Sequence, residues 1–167
     1  GLYYAIAYSI MKGGAFMAAD AFSWEAGTTE VEGMKGLGAR HPLLGIAFVI
    51  FVLGLIGVPF TCGFLGKLLL EQAGMATSLM SGVVLALILA VNSVVSLGYY
   101  IPVLSTLMFS ASSAAPVGSA RKKAALSRSV LFAVVVLAVV TVYLGLFPES
   151  FDWIMHAAGQ LTPWGAV

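Results

Sequence analysis

Charged side chains are scarce in this sequence. They make up 9% of its 167 residues, whereas about a quarter of an ordinary soluble domain is charged. No charged residue occurs between Pro42 and Gly66 or between Gln72 and Ala120. Both stretches exceed the roughly 20 apolar residues that a helix needs to cross the core of a bilayer. The scarcity argues against a soluble domain and predicts a multi-pass membrane protein that contacts lipid.

Cysteine and histidine are also scarce. Cys62 is the one cysteine of the sequence, so it cannot form an internal disulfide and we expect it to pack as a small apolar residue. His41 and His156 lie far apart and have no ligand-type neighbours, so we predict no metal site. A formal net charge of +1 gives no support to nucleic-acid binding.

Sequence motifs for redox chemistry are missing as well. We find no phosphate-binding glycine loop, no dinucleotide fingerprint and no cysteine set for an iron–sulfur cluster. We therefore expect no cofactor in this chain and place any redox chemistry in another polypeptide. Because Gly1 lies inside an apolar run without an initiator methionine, we also expect the chain to be part of a longer one.

What is present is a series of long apolar runs. They predict an all-α bundle, a single membrane domain with four spanning units at about 1–22, 42–76, 78–109 and 128–147. The connection 110–127 is the most basic of the chain, with Arg121, Lys122 and Lys123. The positive-inside rule therefore places it on the cytoplasmic or matrix side, together with the polar loop 23–41.

The second unit is too long for one straight crossing, because its length corresponds to roughly 50 Å of helix at 1.5 Å per residue. Gly57, Pro59 and Gly63 lie near its middle. Proline removes a backbone donor and glycine permits non-helical turns. We therefore predict one discontinuous span, broken near 57–63.

Lys67 follows this predicted break and is flanked by apolar sequence. A charge near the bilayer midplane costs at least about 2.5 to 3.5 kcal/mol, so such residues usually face protein or water and mark an ion pathway. Glu71 lies four residues later on the same helical face, where it could pair with Lys67 or instead face water. Pairing would hold the ammonium charged, whereas burial alone favours the neutral amine. The alternative is that Lys67 extends to a membrane interface.

Lys12 lies near the centre of the first predicted span, with Tyr8 one helical turn earlier. We predict that both belong to a proton relay with Lys67 and Glu71. The alternative for Lys12 is an anchor at the interface. The third unit carries a polar stripe, and within it Asn92, Ser96 and Tyr99 are spaced to share one face. The stripe consists of Asn92, Ser93, Ser96, Tyr99 and Tyr100. These side chains suit either hydrogen bonds between helices or a water chain.

Three segments resemble a known family. Leu37-Gly38-Ala39-Arg40-His41-Pro42-Leu43-Leu44, Leu55-Ile56-Gly57-Val58-Pro59 and Gly63-Phe64-Leu65-Gly66-Lys67 are similar to the core of the antiporter-like subunits of respiratory complex I, the NADH:quinone oxidoreductase. The pattern is that of the subunit N (subunit 2) type, with a GL-x-x-R-x-P start, a GIPP turn and a GF-x-GK end. Phe60 replaces the usual second proline of the turn.

The resemblance implies that the chain holds the last four of about fourteen helices, with Lys67 at the lysine of the discontinuous helix 12. It implies a proton-translocating membrane subunit whose complex transfers electrons from NADH or a reduced deazaflavin to a quinone or methanophenazine. Flavin and iron–sulfur clusters are then expected in partner subunits, and an energy-converting plasma or inner membrane is the expected location. An Mrp-type cation/proton antiporter subunit and a structural membrane scaffold are the rival hypotheses.

Overall fold

All regular secondary structure in the part of the chain that the structure describes is helical. In the computed structural model these residues are 2–109, 127–147 and 149. The helices are α1 (Leu2–Ala26), a 3₁₀ helix (Val31–Met34), α2 (Leu37–Arg40), α3 (Pro42–Ile56), α4 (Cys62–Thr77), α5 (Leu79–Phe109) and α6 (Arg128–Leu146). The predicted all-α class is confirmed.

Helix α3 lies at the centre of the bundle, where it packs against α1, α5 and α6. Its sequence is apolar on all sides, and most of its residues are buried, whereas Leu43 and Ile46 are exposed. Phe51 of α3 is fully buried and its ring lies directly over Gly14 of α1, where a side chain would overlap it. Glycine at this position therefore lets α1 and α3 approach closely.

Helix α3 ends where the sequence predicts a break. Gly57 caps it with a φ of 89°, a left-handed conformation that glycine adopts without steric cost. Thr61 begins α4 as its N-cap, because its Oγ1 accepts a hydrogen bond from the Phe64 amide at 3.4 Å. The interruption thus covers residues 57–61.

Gly63 therefore lies in the first turn of α4, whereas Gly57 and Pro59 lie in the interruption itself. The Thr61 cap starts the helix two residues earlier than the glycine suggested. Gly63 packs against the backbone oxygen of Gly54 in α3, with no room for a side chain. Its structural role is close packing of the two half-helices.

Two described helices are long and apolar enough to cross a membrane, namely α5 and α6. A third is counted if the segments Val31–Arg40 and Pro42–Ile56, which meet at a bend of 115°, form one span. Helices α3 and α4 have only 15 and 16 residues, because the interruption divides the apolar run. The count of four spans stays a prediction.

Some boundaries differ from the predicted ones. Helix α1 continues to Ala26, past the predicted end of the first span at residue 22, whereas α5 runs through Pro102 to Phe109, the residue at which the third predicted unit ends. The predicted basic connection lies, for residues 110–126, outside the described part of the chain.

Candidate functional site: the lysine beside the helix break

Lys67 lies in the second turn of α4 and is 9% exposed. Its Nζ donates a hydrogen bond to the Ile56 carbonyl oxygen at 2.7 Å and another to the Ser93 Oγ at 2.8 Å. The side chain therefore joins the end of α3, the start of α4 and the middle of α5. Within the described residues it is the one buried side chain that carries an ionisable amine.

The Ile56 carbonyl is available because the helix stops there. The last carbonyls of an α-helix have no partner in their own helix, and they carry the negative end of the helix dipole. The break therefore creates an acceptor that suits a positive charge. Gly57 leaves room for the Lys67 ammonium to approach the Ile56 carbonyl, since a Cβ at position 57 would lie 2.9 Å from the Lys67 Nζ.

A cavity of about 220 Å³ lies beside Lys67 between α4 and α5. Glu71 lines it as well, together with Gly57, Phe64, Leu68, Ala86, Leu89, Ala90 and Ser93. A volume of this size has room for several waters, each of which occupies roughly 30 Å³ in the liquid. The cavity can therefore connect the ammonium to the carboxylate through solvent.

Lys67 and Glu71 do not form a direct ion pair. The described residues have one contact within 4.0 Å between a basic and an acidic side chain, that of the His41 Nε2 with the Glu25 carboxylate at 2.7 Å, which joins the start of α3 to the end of α1. The Lys67 ammonium instead turns away from Glu71 toward the oxygens of α3 and α5. Two neutral hydrogen-bond acceptors therefore hold the Lys67 side chain in place of the Glu71 carboxylate, with which a spacing of four residues would have allowed it to pair.

Lys12 lies on the exposed face of α1. Its Nζ is 5.3 Å from the ring centroid of Tyr8 and 6.0 Å from that of Phe16, both within cation–π range. Tyr8 stacks in turn on Tyr4, with ring centroids 5.7 Å apart. No hydrogen bond of the described residues joins Lys12 or Tyr8 to Lys67.

Ser93 belongs to the predicted polar stripe of α5, but the helical spacing did not group it with the shared face. The spacing of α5 grouped Asn92, Ser96 and Tyr99, but the structure leaves Asn92 and Tyr99 exposed and buries Ser96. Ser96 donates to the Asn92 carbonyl of its own helix at 2.7 Å. A polar residue in an apolar helix was the available signal for Ser93. This signal marks Ser93 as unusual, but it does not predict which face of α5 packs against α4.

The described residues contain no group of three or more His, Cys, Asp or Glu side chains placed to hold a metal ion. Cys62 is fully buried at the start of α4, among apolar neighbours from α1 and α6. The chemistry that this arrangement supports is proton exchange at Lys67.

Comparison with known proteins matches the part of the chain that contains the Lys67 site. The model of a family described as NADH:quinone oxidoreductase/Mrp antiporter, transmembrane, matches residues 2–96. This match includes α1, both halves of the broken helix, Lys67 and Ser93.

Individual relatives point to one subunit type. The chain is 41% identical to NADH-quinone oxidoreductase subunit N 2 of Symbiobacterium thermophilum over 59% of its own length and 19% of the relative's. It is 32% identical to F(420)H(2) dehydrogenase subunit N of Methanosarcina mazei over 98% of its length and 34% of the relative's. It is 35% identical to NADH-quinone oxidoreductase subunit N 1 of Sorangium cellulosum over 89% and 28%. The aligned part therefore spans about a fifth to a third of these relatives.

Proposed function

Because this chain belongs to the NADH:quinone oxidoreductase/Mrp antiporter transmembrane family and resembles its subunit N members, we propose that it forms a proton-translocating part of a complex I-like oxidoreductase. The observation that carries the proposal is the buried Lys67 ammonium at the break between α3 and α4, beside a cavity that it shares with Glu71. The function is transfer of protons through Lys67.

The proposed cycle uses two parts of the Lys67 site, namely the acceptors Ile56 and Ser93 and the cavity that contains Glu71. The Ile56 carbonyl and Ser93 hydroxyl hold the protonated amine in a medium where a free ammonium is costly. A change of charge nearby then drives the proton into the cavity toward Glu71, and a second proton restores the ammonium. Because no carboxylate lies within 4.0 Å of Lys67 in the described residues, the charged form is not locked by an ion pair.

In this proposal Lys12 and Tyr8 belong to a second part of the proton pathway. Their position on the outward side of α1 suits exchange with another membrane helix rather than direct exchange with Lys67. A buried or lipid-facing lysine without polar neighbours is costly, so a neighbouring protein surface with acceptors is the expected environment of Lys12. Tyr8 supports the Lys12 ammonium with its ring.

The remaining parts of the proposal concern the complex. We infer that α1 and the α3–α4 pair cross the bilayer together with α5 and α6, in an energy-converting membrane, with the basic connection on the cytoplasmic or matrix side. The partners are other membrane subunits. Flavin and iron–sulfur clusters belong to partner subunits that oxidise NADH or a reduced deazaflavin and pass electrons to a quinone or methanophenazine.

The test is Lys67→Ala in the full-length subunit within its complex, reconstituted into vesicles. Donor oxidation is started with NADH or, in parallel, with reduced F420, and proton uptake is followed with a pH-sensitive dye. We expect an assembled complex that translocates fewer protons for each donor molecule oxidised, because the exchangeable amine is lost.

Lys35→Ala is the matched control, since it removes a lysine from the loop between α1 and α2. Unchanged translocation in the Lys67 variant would favour a scaffold role and contradict the proposal. Translocation that requires a sodium gradient, and not electron transfer, would favour an Mrp-type antiporter.

A further inference from the structure

Ser93 offers Lys67 a partner of a different kind from Ile56. Its Oγ is 2.8 Å from the Lys67 Nζ and 2.9 Å from the Leu89 carbonyl oxygen of its own helix. A carbonyl oxygen only accepts, and a serine hydroxyl has one proton. The Ser93 proton therefore points to Leu89, and a lone pair of Oγ faces the ammonium.

This arrangement provides acceptors for the protonated lysine, but it provides no donor for the neutral one. When Lys67 loses a proton, its nitrogen gains a lone pair that needs a donor. The Ile56 carbonyl cannot donate, whereas the Ser93 hydroxyl can rotate and direct its proton to the nitrogen. An unpaired buried polar atom would otherwise cost free energy.

The rotation costs α5 little. In a regular α-helix the Leu89 carbonyl also accepts from the backbone N–H of residue 93, so it keeps a partner when the hydroxyl turns away. Bonds from a serine hydroxyl to the carbonyl four residues earlier are a local addition to the helix and not part of its backbone ladder. The hydroxyl is thus free to follow the protonation state of Lys67.

We propose that Ser93 is a positioning residue whose hydroxyl reverses its hydrogen bond with Lys67 each time the lysine gives up or regains a proton. In the forward step an N–H bond of the ammonium breaks, its electron pair stays on nitrogen, and the proton passes to water in the cavity and on to Glu71. The amine then rotates about its Cε–Nζ bond so that its lone pair faces Ser93, and the Ser93 O–H turns from Leu89 to the nitrogen. The inference rests on the proposed function, because it assigns a second residue to the same site.

The surroundings of the site leave few other groups for this role. Glu71 is the other titratable side chain among the described residues that line the cavity. The interruption contributes Gly57 to the lining and α5 contributes Ala86, Leu89, Ala90 and Ser93, whereas α1, α3 and α6 contribute no residue. Ser93 is accordingly the side chain in hydrogen-bond contact with Lys67 that can both accept and donate.

The test compares Ser93→Thr with Ser93→Val in the reconstituted complex. The two replacements have nearly the same shape, and they differ in the hydroxyl. Threonine in a helix can keep the bond to the carbonyl four residues earlier. We expect the threonine variant to retain most of the translocation rate and the valine variant to lose about tenfold, the scale of one hydrogen bond to a charged group.

A second readout separates proton transfer from packing. In the valine variant the proton step at Lys67 becomes limiting, so the ratio of translocation rates in H₂O and D₂O should rise, whereas in the threonine variant it should stay at the wild-type value. Equal rates and equal ratios in the two variants would overturn the inference. If neither variant assembles, Ser93→Ala and Ser96→Ala take their place, with loss expected only in Ser93→Ala because Ser96 does not contact Lys67.

The outcome also separates the two proposals. If Lys67→Ala leaves translocation intact, the proposed function fails, whatever Ser93 does. If Lys67→Ala stops translocation and Ser93→Val behaves like wild type, the proposed function stands and the role of Ser93 is wrong.

Discussion

The two lysines within the apolar helices of this chain occupy opposite environments. Lys67 is buried and bonded to two oxygens where a helix is interrupted, whereas Lys12 is exposed on a continuous helix and lies against aromatic rings. The neighbouring sequence of both is apolar. The difference shows that tertiary structure, and not the hydrophobicity of the flanking residues, decides whether a lysine finds acceptors: the helix break supplies the Ile56 carbonyl and α5 supplies the Ser93 hydroxyl.

The largest difference in stability and translocation is expected between alanine substitutions at two glycines, Gly57 beside Lys67 and Gly13 beside Lys12. In Gly57→Ala the new methyl group would lie 2.9 Å from the Lys67 Nζ, on a residue with a φ of 89°. We expect the complex to lose about 1–3 kcal/mol of stability from the unfavourable backbone conformation alone, and translocation to fall because Lys67 is displaced. Thermal unfolding of the solubilised complex and dye-based proton uptake measure the two effects.

Gly13→Ala is the control for that change. A Cβ at Gly13 would meet no other atom of the described residues within 4 Å, and the residue lies inside a regular helix next to Lys12. Alanine there should be neutral or slightly stabilising. Similar losses in both variants would mean that the Lys67 site is no more sensitive to added volume than the Lys12 site.

A smaller effect is expected from Lys12→Ala. Its visible contacts are the rings of Tyr8 and Phe16, and a cation–π contact at an exposed site contributes about 0.5–1 kcal/mol. Translocation should fall less than in Lys67→Ala, and Lys12→Arg should preserve the ring contacts. If Lys12→Ala stopped translocation as completely as Lys67→Ala, the exposed lysine would be the limiting site and the contrast between them would be lost.

The smallest effect on translocation is expected from substitutions of Phe60 in the break, which change mainly the stability. This residue has a φ of 70°, in the left-handed region, and its side chain is largely exposed. Phe60→Gly should raise stability by about 1 kcal/mol, since glycine adopts this conformation without steric penalty. Phe60→Pro should destabilise the complex, because proline fixes φ near −65°. A lower melting temperature for the glycine variant than for wild type would show that the Phe60 ring has a packing role that outweighs its backbone.

The sequence predicted the fold class and the neighbourhood of the site, because both follow from local chemistry. Apolar length indicates helices in lipid, and Gly57 with Pro59 indicates an interruption. Charge placement alone could not predict the partners of Lys67. Spacing favoured Glu71, yet the interruption leaves the Ile56 carbonyl closer to the ammonium.

The role of Ser93 depends on tertiary packing. Helical periodicity groups the polar residues of α5 by face, but it does not say which face meets α4. The structure turns Ser93 toward Lys67 and Ser96 into a neighbouring buried position. Such a choice is set by the packing of glycines and large side chains along several helices at once, and no short sequence pattern records it.

The most direct test of the central claim is proton uptake by vesicles that contain the complex with Lys67→Arg. Arginine keeps a positive charge that can bond to the Ile56 carbonyl, but it does not give up its proton. If Lys67 works by exchanging a proton, this complex assembles, oxidises its donor and translocates as few protons as the Lys67→Ala complex. Translocation at the wild-type level would show that only the charge of Lys67 matters, and would contradict the account.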